Sequence, residues 1–252
     1  MDRPHDSQTL RKIGFDERER ELLAPYAMHG TATAGRKYPE QDHPYRGPFQ
    51  RDRDRIVHSS AYRRLSYKTQ VFTGELGDYH RTRLTHTLEV ASVARTVGRA
   101  LRLNEDLIEA LALLHDIGHP PFGHAGEEVL DRCLADKGGF EHNRQALRIV
   151  QHLERRYPEF YGLNLSVEVL DGQEYRAGKT GDGPQPLLEA QVVDAADSVG
   201  YDTHDADDAL QHGLLDPSEL LEIPLWRAAV ERVRRKWTDL EADDLRRAVI
   251  HE

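Results

Sequence analysis

Apolar positions recur every three to four residues along most of this chain after residue 50, and that spacing predicts helices. The stretch before it lacks the period. A short charged helix is expected at Asp16–Leu23, after which Pro25, Gly30, Gly35, Pro39, Pro44, Gly47 and Pro48 break any regular element. Residues 1–50 therefore read as a mostly irregular arm that wraps a surface or a neighbouring subunit. The first clear helix covers Arg51–Leu65, with Ile56, Val57, Ser60, Ala61, Arg64 and Leu65 sharing a face. Thr69–Thr73 and Tyr79–Thr82 are expected to pair as a short hairpin across Gly74–Asp78. Leu84–Leu103 carries Val90, Val93, Val97 and Leu101 in one stripe, which His86 continues inward. Asn104 is a plausible cap for the next helix, with Glu105 and Asp106 in its first turn, and Pro120-Pro121 then forces a turn.

A helix resumes over Ala125–Asp136 and stops at Gly138-Gly139. Glu141–Arg156 is amphipathic through Ala146, Ile149, Val150 and Leu153. Asp171–Pro186, rich in glycine and polar residues, is expected to be a flexible loop. Leu187–Tyr201 aligns Ala190, Val193, Asp197 and Tyr201, which sets a carboxylate in an apolar stripe. Pro224–Trp237, with Trp226, Ala229, Val230, Val233 and Trp237 on one side, and Asp239–Ile250 complete the set. No repeat of fixed period is visible. The expected fold class is all-α, a compact multi-helix domain with at most one short β-hairpin. Its parts are an arm over 1–50, a main domain over 51–210 and closing helices over 211–252 packed on the same domain.

The 252 residues, 38% of them hydrophobic, suffice for one large domain or two small ones. No apolar run is long enough to cross a bilayer, and residues 1–20 lack the apolar core of a signal peptide, so no membrane partner is expected. The single cysteine, Cys133, excludes an internal disulfide and a cysteine-based zinc site, and points to a reducing cytoplasm. A net charge of −10 argues against a generic nucleic-acid binder, but the charge is uneven. From Arg51 to Arg83, eight Lys/Arg stand against four Asp/Glu, whereas Leu187–Trp226 has no Lys or Arg at all. That asymmetry fits cations for phosphates and carboxylates for metal or sugar, and equally fits two oppositely charged solvated faces.

The chemistry concentrates where the apolar run Leu111–Leu114 ends in His115-Asp116, followed by Gly118 and His119. Burying an imidazole and a carboxylate is costly unless each finds a partner, and a divalent cation serves both. The plainer alternative is a helix C-terminus, with Gly118 as a stop and histidines favoured by the dipole. His86, His115, Asp116 and Asp197 each fall on, or at the end of, an inward helical face. Two imidazoles and two carboxylates suit Mn, Fe, Co, Ni or Zn, and Mg less well. Such a set leaves coordination positions for water and substrate.

These residues sit in five motifs: RDRDRIVHSSAYRRLSYKTQVF (51–72), RTRLTHTLEV (81–90), HDIGHPPFGHAGE (115–127), FEHN (140–143) and DAADSVGYDTHDADD (194–208). In that order, over about residues 45–210, they resemble the HD-domain metal-dependent phosphohydrolases, and more closely the deoxyguanosinetriphosphate triphosphohydrolase-like family. The resemblance implies cleavage of a deoxynucleoside triphosphate, dGTP or a broader dNTP range, between its 5′ oxygen and the α-phosphorus, which yields deoxynucleoside and inorganic triphosphate. It implies a divalent metal (Mn, Mg, Co, Fe, Ni or Zn) on His86, His115, Asp116 and Asp197. Asp194, three residues earlier on nearly the same face, is the rival fourth ligand. Asp197 is preferred because the family's motif places the ligand four residues before a tyrosine, here Tyr201.

By the same resemblance His124 protonates the departing 5′ oxygen and Glu127, one turn on, orients it. Alone, the pair reads as helix N-terminal residues favoured by the dipole. His119, His142 and Arg83 would contact phosphates, with Arg64 and Lys68 as further phosphate candidates that a solvated basic face explains equally well. Gln70, Tyr201 and Asp205 resemble the family's deoxyribose contacts, with Tyr201 excluding a 2′-hydroxyl by shape. A homo-oligomer is expected. Family members usually continue through a further helical region, whereas this chain stops at Glu252 within an expected helix, as a short variant or a fragment. Two other readings stand beside this one. One is an HD nucleotide phosphomonoesterase. The other is a non-catalytic nucleotide- or single-strand-binding module, for which the bases and aromatics of Arg53–Phe72 would serve. An intact His124–Glu127 pair speaks against the latter.

Overall fold

Regular structure in the described residues of the computed structural model, 14–71, 81–178 and 185–252, is helical, with β-pairing limited to isolated bridges. The all-α expectation is met. The chain forms two compact units, one ending at Ala196 and one beginning at Asp197. The first contains α1 (Phe15–Leu22), α2 (Pro48–Val57), α3 (Ser60–Arg64), α4 (Arg83–Ala100), α5 (Glu105–Leu114), α6 (Gly123–Cys133), α7 (His142–Arg148), α8 (Val167–Ala177) and the start of α9 (Leu188–Gln211).

The first unit is organised around α5. Leu107, Ile108 and every residue from Ala110 to Leu114 are buried, so the C-terminal half of this helix is apolar on all sides and needs cover on all sides. Helices α2, α4 and α8 supply it. Asn104 caps α5 as expected: its side chain accepts from the Leu107 N–H at 3.3 Å, and its Nδ2 donates to Glu19 and to the Met28 carbonyl.

The inward stripe of α4 differs from expectation. Val90 is fully buried, but Val93, Val97 and Leu101 are 36–46% exposed, and the buried face runs through His86, Thr87, Val90, Ala91, Ala94 and Gly98. Small residues form this face because α5 comes very close. A Cβ at Gly98 would lie 2.2 Å from Ile108 Cδ1. The expected helix over Arg51–Leu65 is two helices. Ser59, fully buried, turns its Oγ to the Tyr62 N–H and caps α3, which breaks the run behind it. The expected helix over Glu141–Arg156 closes early, as α7 passes into a π turn at Ile149–Leu153 and leaves Leu153 exposed.

Of the loop expected over Asp171–Pro186, residues 171–177 are helical and belong to α8, while Gly178, Gln185 and Pro186 are irregular. Residues 179–184 lie outside the described residues. Gly172 reads as a breaker but is a packing residue, since a Cβ there would meet Leu111 Cδ2 at 2.5 Å. Of the expected hairpin, Thr69 and Thr82 form an antiparallel bridge, and the Arg83 N–H donates to the Lys68 carbonyl at 2.8 Å. Residues 72–80 lie outside the described residues.

The described part of the arm is laid against its own unit. Glu168 accepts from Thr33 Oγ1 and the Ala34 N–H, Glu189 accepts from the Met28 N–H, and Arg36 binds Asp52 and the carbonyls of Pro48 and Asn164. Buried carboxylates thus serve irregular backbone that no helix can satisfy. In the second unit, α10 (Pro217–Leu220), α11 (Pro224–Lys236) and α12 (Ala242–His251) follow the end of α9. Ala229, Val230, Val233 and Val249 form its core, with Trp226 packed against them. Among the described residues no helix is long and apolar enough to cross a membrane.

Candidate functional site

Two helix ends bring His86, His115 and Asp116 together. Thr82 opens α4 with a reciprocal cap: its side chain accepts from the Thr85 N–H, and Thr85 Oγ1 accepts from the Thr82 N–H. That start places Arg83 in the first turn and His86 one turn further along. His115 and Asp116 follow directly from the end of α5. The three metal-type side chains are 2–3% exposed, and one ligand atom from each lies within 4.8 Å of the others. His115 Nδ1 bonds to the Ala112 carbonyl at 2.6 Å. A carbonyl only accepts, so Nδ1 carries the proton and Nε2 is left as the ligand atom. The donor set and its burial fit a divalent cation.

Asp116 is also the electrostatic hub. Arg83 Nη1 lies 3.1 and 2.9 Å from its two oxygens, and His119 Nδ1 lies 2.9 Å from Oδ1. Burial pushes the Asp116 carboxyl up, but His119, His115 and Arg83 together hold it well below the usual carboxylate range. Burial lowers His119 to about 4, with Arg83 and His142 adding to the shift against the pull of Asp116. His119 is therefore neutral near pH 7, and Arg83 is the lasting cation on Asp116. Lys68 donates to the His119 carbonyl at 2.5 Å, and burial with Arg64 and Arg83 nearby lowers its ammonium to about 8.

A second group lies beside the first. Glu127 Oε2 meets His124 Nδ1 at 3.1 Å, while Oε1 accepts from the His142 backbone N–H at 2.8 Å and His142 Nδ1 at 2.9 Å. One carboxylate thus holds two imidazoles from α6 and α7. Burial would raise Glu127, but these bonds outweigh it and hold the group at about 2. A depressed carboxyl stabilises the fold fully above its ordinary 4.5 and loses that contribution as the pH falls toward about 2. Glu127→Gln is accordingly expected to lose less thermal stability than the wild type across that acid window, as read from Tm against pH.

Backbone approach sets this geometry. A Cβ at Gly118 would stand 2.1 Å from the His142 carbonyl oxygen and 2.4 Å from the Ala146 N. Gly118 is therefore needed for contact with α7, which seats the His142 ring 3.8 Å from the His119 ring, centroid to centroid. Gly118→Ala is expected to cost about 3 kcal/mol, at the upper end of overpacking losses, and denaturant titration would measure it. Gly123, at φ +55°, leaves room for Arg83 Nη2, 3.0 Å from where a Cβ would stand.

Gln70 Oε1 and Arg83 Nε are buried and meet no protein hydrogen-bond partner. Arg64 is exposed. Asp194 of α9 pairs with Arg176 of α8. Asp197, Tyr201 and Asp205 lie further along α9, in the second unit, where Asp197 is partly buried and Tyr201 largely exposed. The Asp205 carboxylate, one turn beyond Tyr201, pushes the Tyr201 hydroxyl up. Sequence reading missed Phe122, which stands 76% exposed in the left-handed region at φ 66°, two residues before His124. For a non-glycine residue that conformation costs about 1–2 kcal/mol, and Pro120-Pro121 signals only a turn.

Residues 83–202 match the HD domain. A deoxyguanosinetriphosphate triphosphohydrolase-like protein of Thiobacillus denitrificans is 50% identical over 231 residues, which cover 87% of this chain and 61% of that protein. Proteins of the same name from Ralstonia pickettii and Brucella ovis are 52% and 48% identical, over 81% and 92% of this chain and 56% and 63% of their own lengths. The chain thus spans about three fifths of the length of the curated relatives it matches.

Proposed function

Because residues 83–202 match the HD domain and the chain is similar to deoxyguanosinetriphosphate triphosphohydrolase-like proteins, we propose that it is a phosphohydrolase that cleaves deoxynucleoside triphosphates to deoxynucleoside and inorganic triphosphate. One observation carries this reading: the buried His86–His115–Asp116 cluster abuts, through the Asp116–His119 contact, a pair of histidines held by Glu127. Metal-ligand residues and proton-transfer residues are thereby neighbours within one unit.

In this reading His86, His115 and Asp116 hold the cation. Asp197 as fourth ligand rests on the motif resemblance alone. A divalent cation at such a cluster supplies Lewis-acid polarisation of a phosphoryl oxygen and activation of water. The protein's own groups do the rest. Arg83 holds Asp116 ionised and offers its partnerless Nε to a phosphate oxygen. His119 and His142 face the phosphates. Glu127 keeps the His124 ring oriented, and His124 delivers a proton to the departing 5′ oxygen. Gln70, with its buried and unsatisfied Oε1, takes a sugar hydroxyl. Tyr201 and Asp205 come to the sugar by resemblance. A homo-oligomer and a cytoplasmic setting belong to the same reading.

Incubation of the chain with each dNTP and each divalent metal, with products resolved by ion-exchange chromatography, tests it. Deoxynucleoside and triphosphate in equal amounts are expected. Orthophosphate in place of triphosphate would replace the reading with a phosphomonoesterase, and no hydrolysis under any metal would remove it.

A further inference from the structure

We propose that His119, His124 and His142, the last two backed by Glu127, form a second cation site, selective for zinc-class ions, whose occupation is inhibitory. The inhibitory half rests on the reading of His124 as the acid, and the binding half does not.

The argument starts from the ring nitrogens. His124 Nδ1 and His142 Nδ1 face the two oxygens of Glu127 at 3.1 and 2.9 Å, and His119 Nδ1 stands 2.9 Å from Asp116 Oδ1. Ionised carboxylates only accept, so the His124 and His142 rings are set to carry their protons on Nδ1 and their lone pairs on Nε2, whereas His119 Nδ1 lies beside Asp116 without a hydrogen bond to it. A carboxylate behind an imidazole is the usual support of a metal-bound histidine, fixing both the tautomer and the ring. The rings are also suitably spaced. Imidazoles bound tetrahedrally at ~2.0–2.1 Å have centroids about 5 Å apart. His119–His124 and His124–His142 are separated by 5.4 and 5.8 Å, and His119–His142, at 3.8 Å, needs to open by about an ångström. One nitrogen from each of His119, His124 and His142 and one oxygen of Glu127 lie within 4.8 Å of one another, so the side chains are gathered, and a turn of the rings brings their Nε2 atoms to one ion.

The donors choose the ion. Three imidazoles suit zinc and its neighbours and offer little to magnesium or calcium, which want oxygen ligands. The two clusters differ accordingly, because His86, His115 and Asp116 include a carboxylate ligand. Regulation follows from the same atoms. A cation on His124 Nε2 occupies the lone pair, excludes a proton from that nitrogen and leaves nothing to donate to a leaving oxygen. His124 is 72% exposed at its side chain, so the ion can arrive from solvent.

Zinc titration of the full chain by calorimetry, with zinc content measured after desalting, tests the proposal without substrate. The wild type is expected to take two equivalents. The double variant His119→Gln/His142→Gln should take one, and so should His115→Ala, which keeps the second site. A wild type that saturates at one equivalent, or a double variant that binds as much zinc as the wild type, overturns the site. Should the double variant fold poorly, Glu127→Gln is the independent arm. It should weaken the second equivalent by about 10–100-fold and spare the first, and unchanged affinity would count against the site. If the chain hydrolyses dNTPs, zinc beyond the first equivalent should suppress turnover, and full activity at two equivalents would remove the inhibitory half. A chain without hydrolytic activity would leave the stoichiometry result standing and would refute only the proposed reaction.

Discussion

His115→Ala is expected to abolish manganese binding, by a loss of affinity of more than about 100-fold, and to halve zinc uptake. Removing a group that merely supports a ligand typically costs about 10–100-fold, and His115 is the ligand itself. Its ring is 2% exposed, and the Ala112 carbonyl holds its Nδ1 proton, so Nε2 is presented to the cluster without reorganisation. Asp116→Ala should have the same effect on manganese but with a second cost. It strands Arg83, 3% exposed, without its carboxylate, and a buried charge left alone costs about 3–5 kcal/mol. Asp116→Asn keeps the volume but removes the same charge, so it should bear both costs without opening a cavity. Isothermal titration with manganese, alongside circular dichroism to confirm folding, reads the outcome. A folded His115→Ala protein with wild-type manganese affinity would show that His86, His115 and Asp116 do not form a cation site.

The site was legible where chemistry and periodicity coincide. His86 on the α4 stripe and His115-Asp116 after an apolar run were readable because a polar group on an inward face violates the pattern that surrounds it. Asn104 was readable for the converse reason, as a cap residue immediately before such a run. Several of the departures share one physical origin, the closeness of backbones. Gly98 and Gly172 look like weak points in a helix, yet each is where α5 touches its neighbour, so α4 and α8 can both lie close against α5. Gly118 reads, in the plainer alternative, as a helix stop, whereas it lets α7 approach and bring the His142 ring beside that of His119. Close approach is a property of two segments, and a one-dimensional pattern records only one of them. Phe122 escaped for a related reason, because its left-handed backbone is imposed by the turn around it rather than favoured by its side chain. Asp197 stood out as a carboxylate among apolar neighbours on α9, a signal that marks a residue without naming what it meets.

His124→Ala separates metal binding from catalysis and carries the second large effect. Manganese affinity should stay at the wild-type level, because His124 is not among His86, His115 and Asp116, while kcat falls by about 100-fold or more. The expected size follows from the leaving group. Cleavage at the α-phosphorus expels the 5′ oxygen of a deoxynucleoside, which departs poorly as an alkoxide, and general acids contribute about 10²–10⁴ in such steps. His124 meets the structural requirement for that role, as its ring is open to solvent on one side and tied through Nδ1 to Glu127 on the other. Neither His119 nor His142 can substitute. His119 is buried against Asp116, and the His142 ring is held on the far oxygen of Glu127. Because the loss falls on a proton transfer, a substrate analogue whose leaving group needs no protonation, such as a p-nitrophenyl phosphoester, should be cleaved by His124→Ala at close to the wild-type rate. Equal losses on both substrates would make His124 a binding residue, and full activity on dNTPs would place the acid elsewhere.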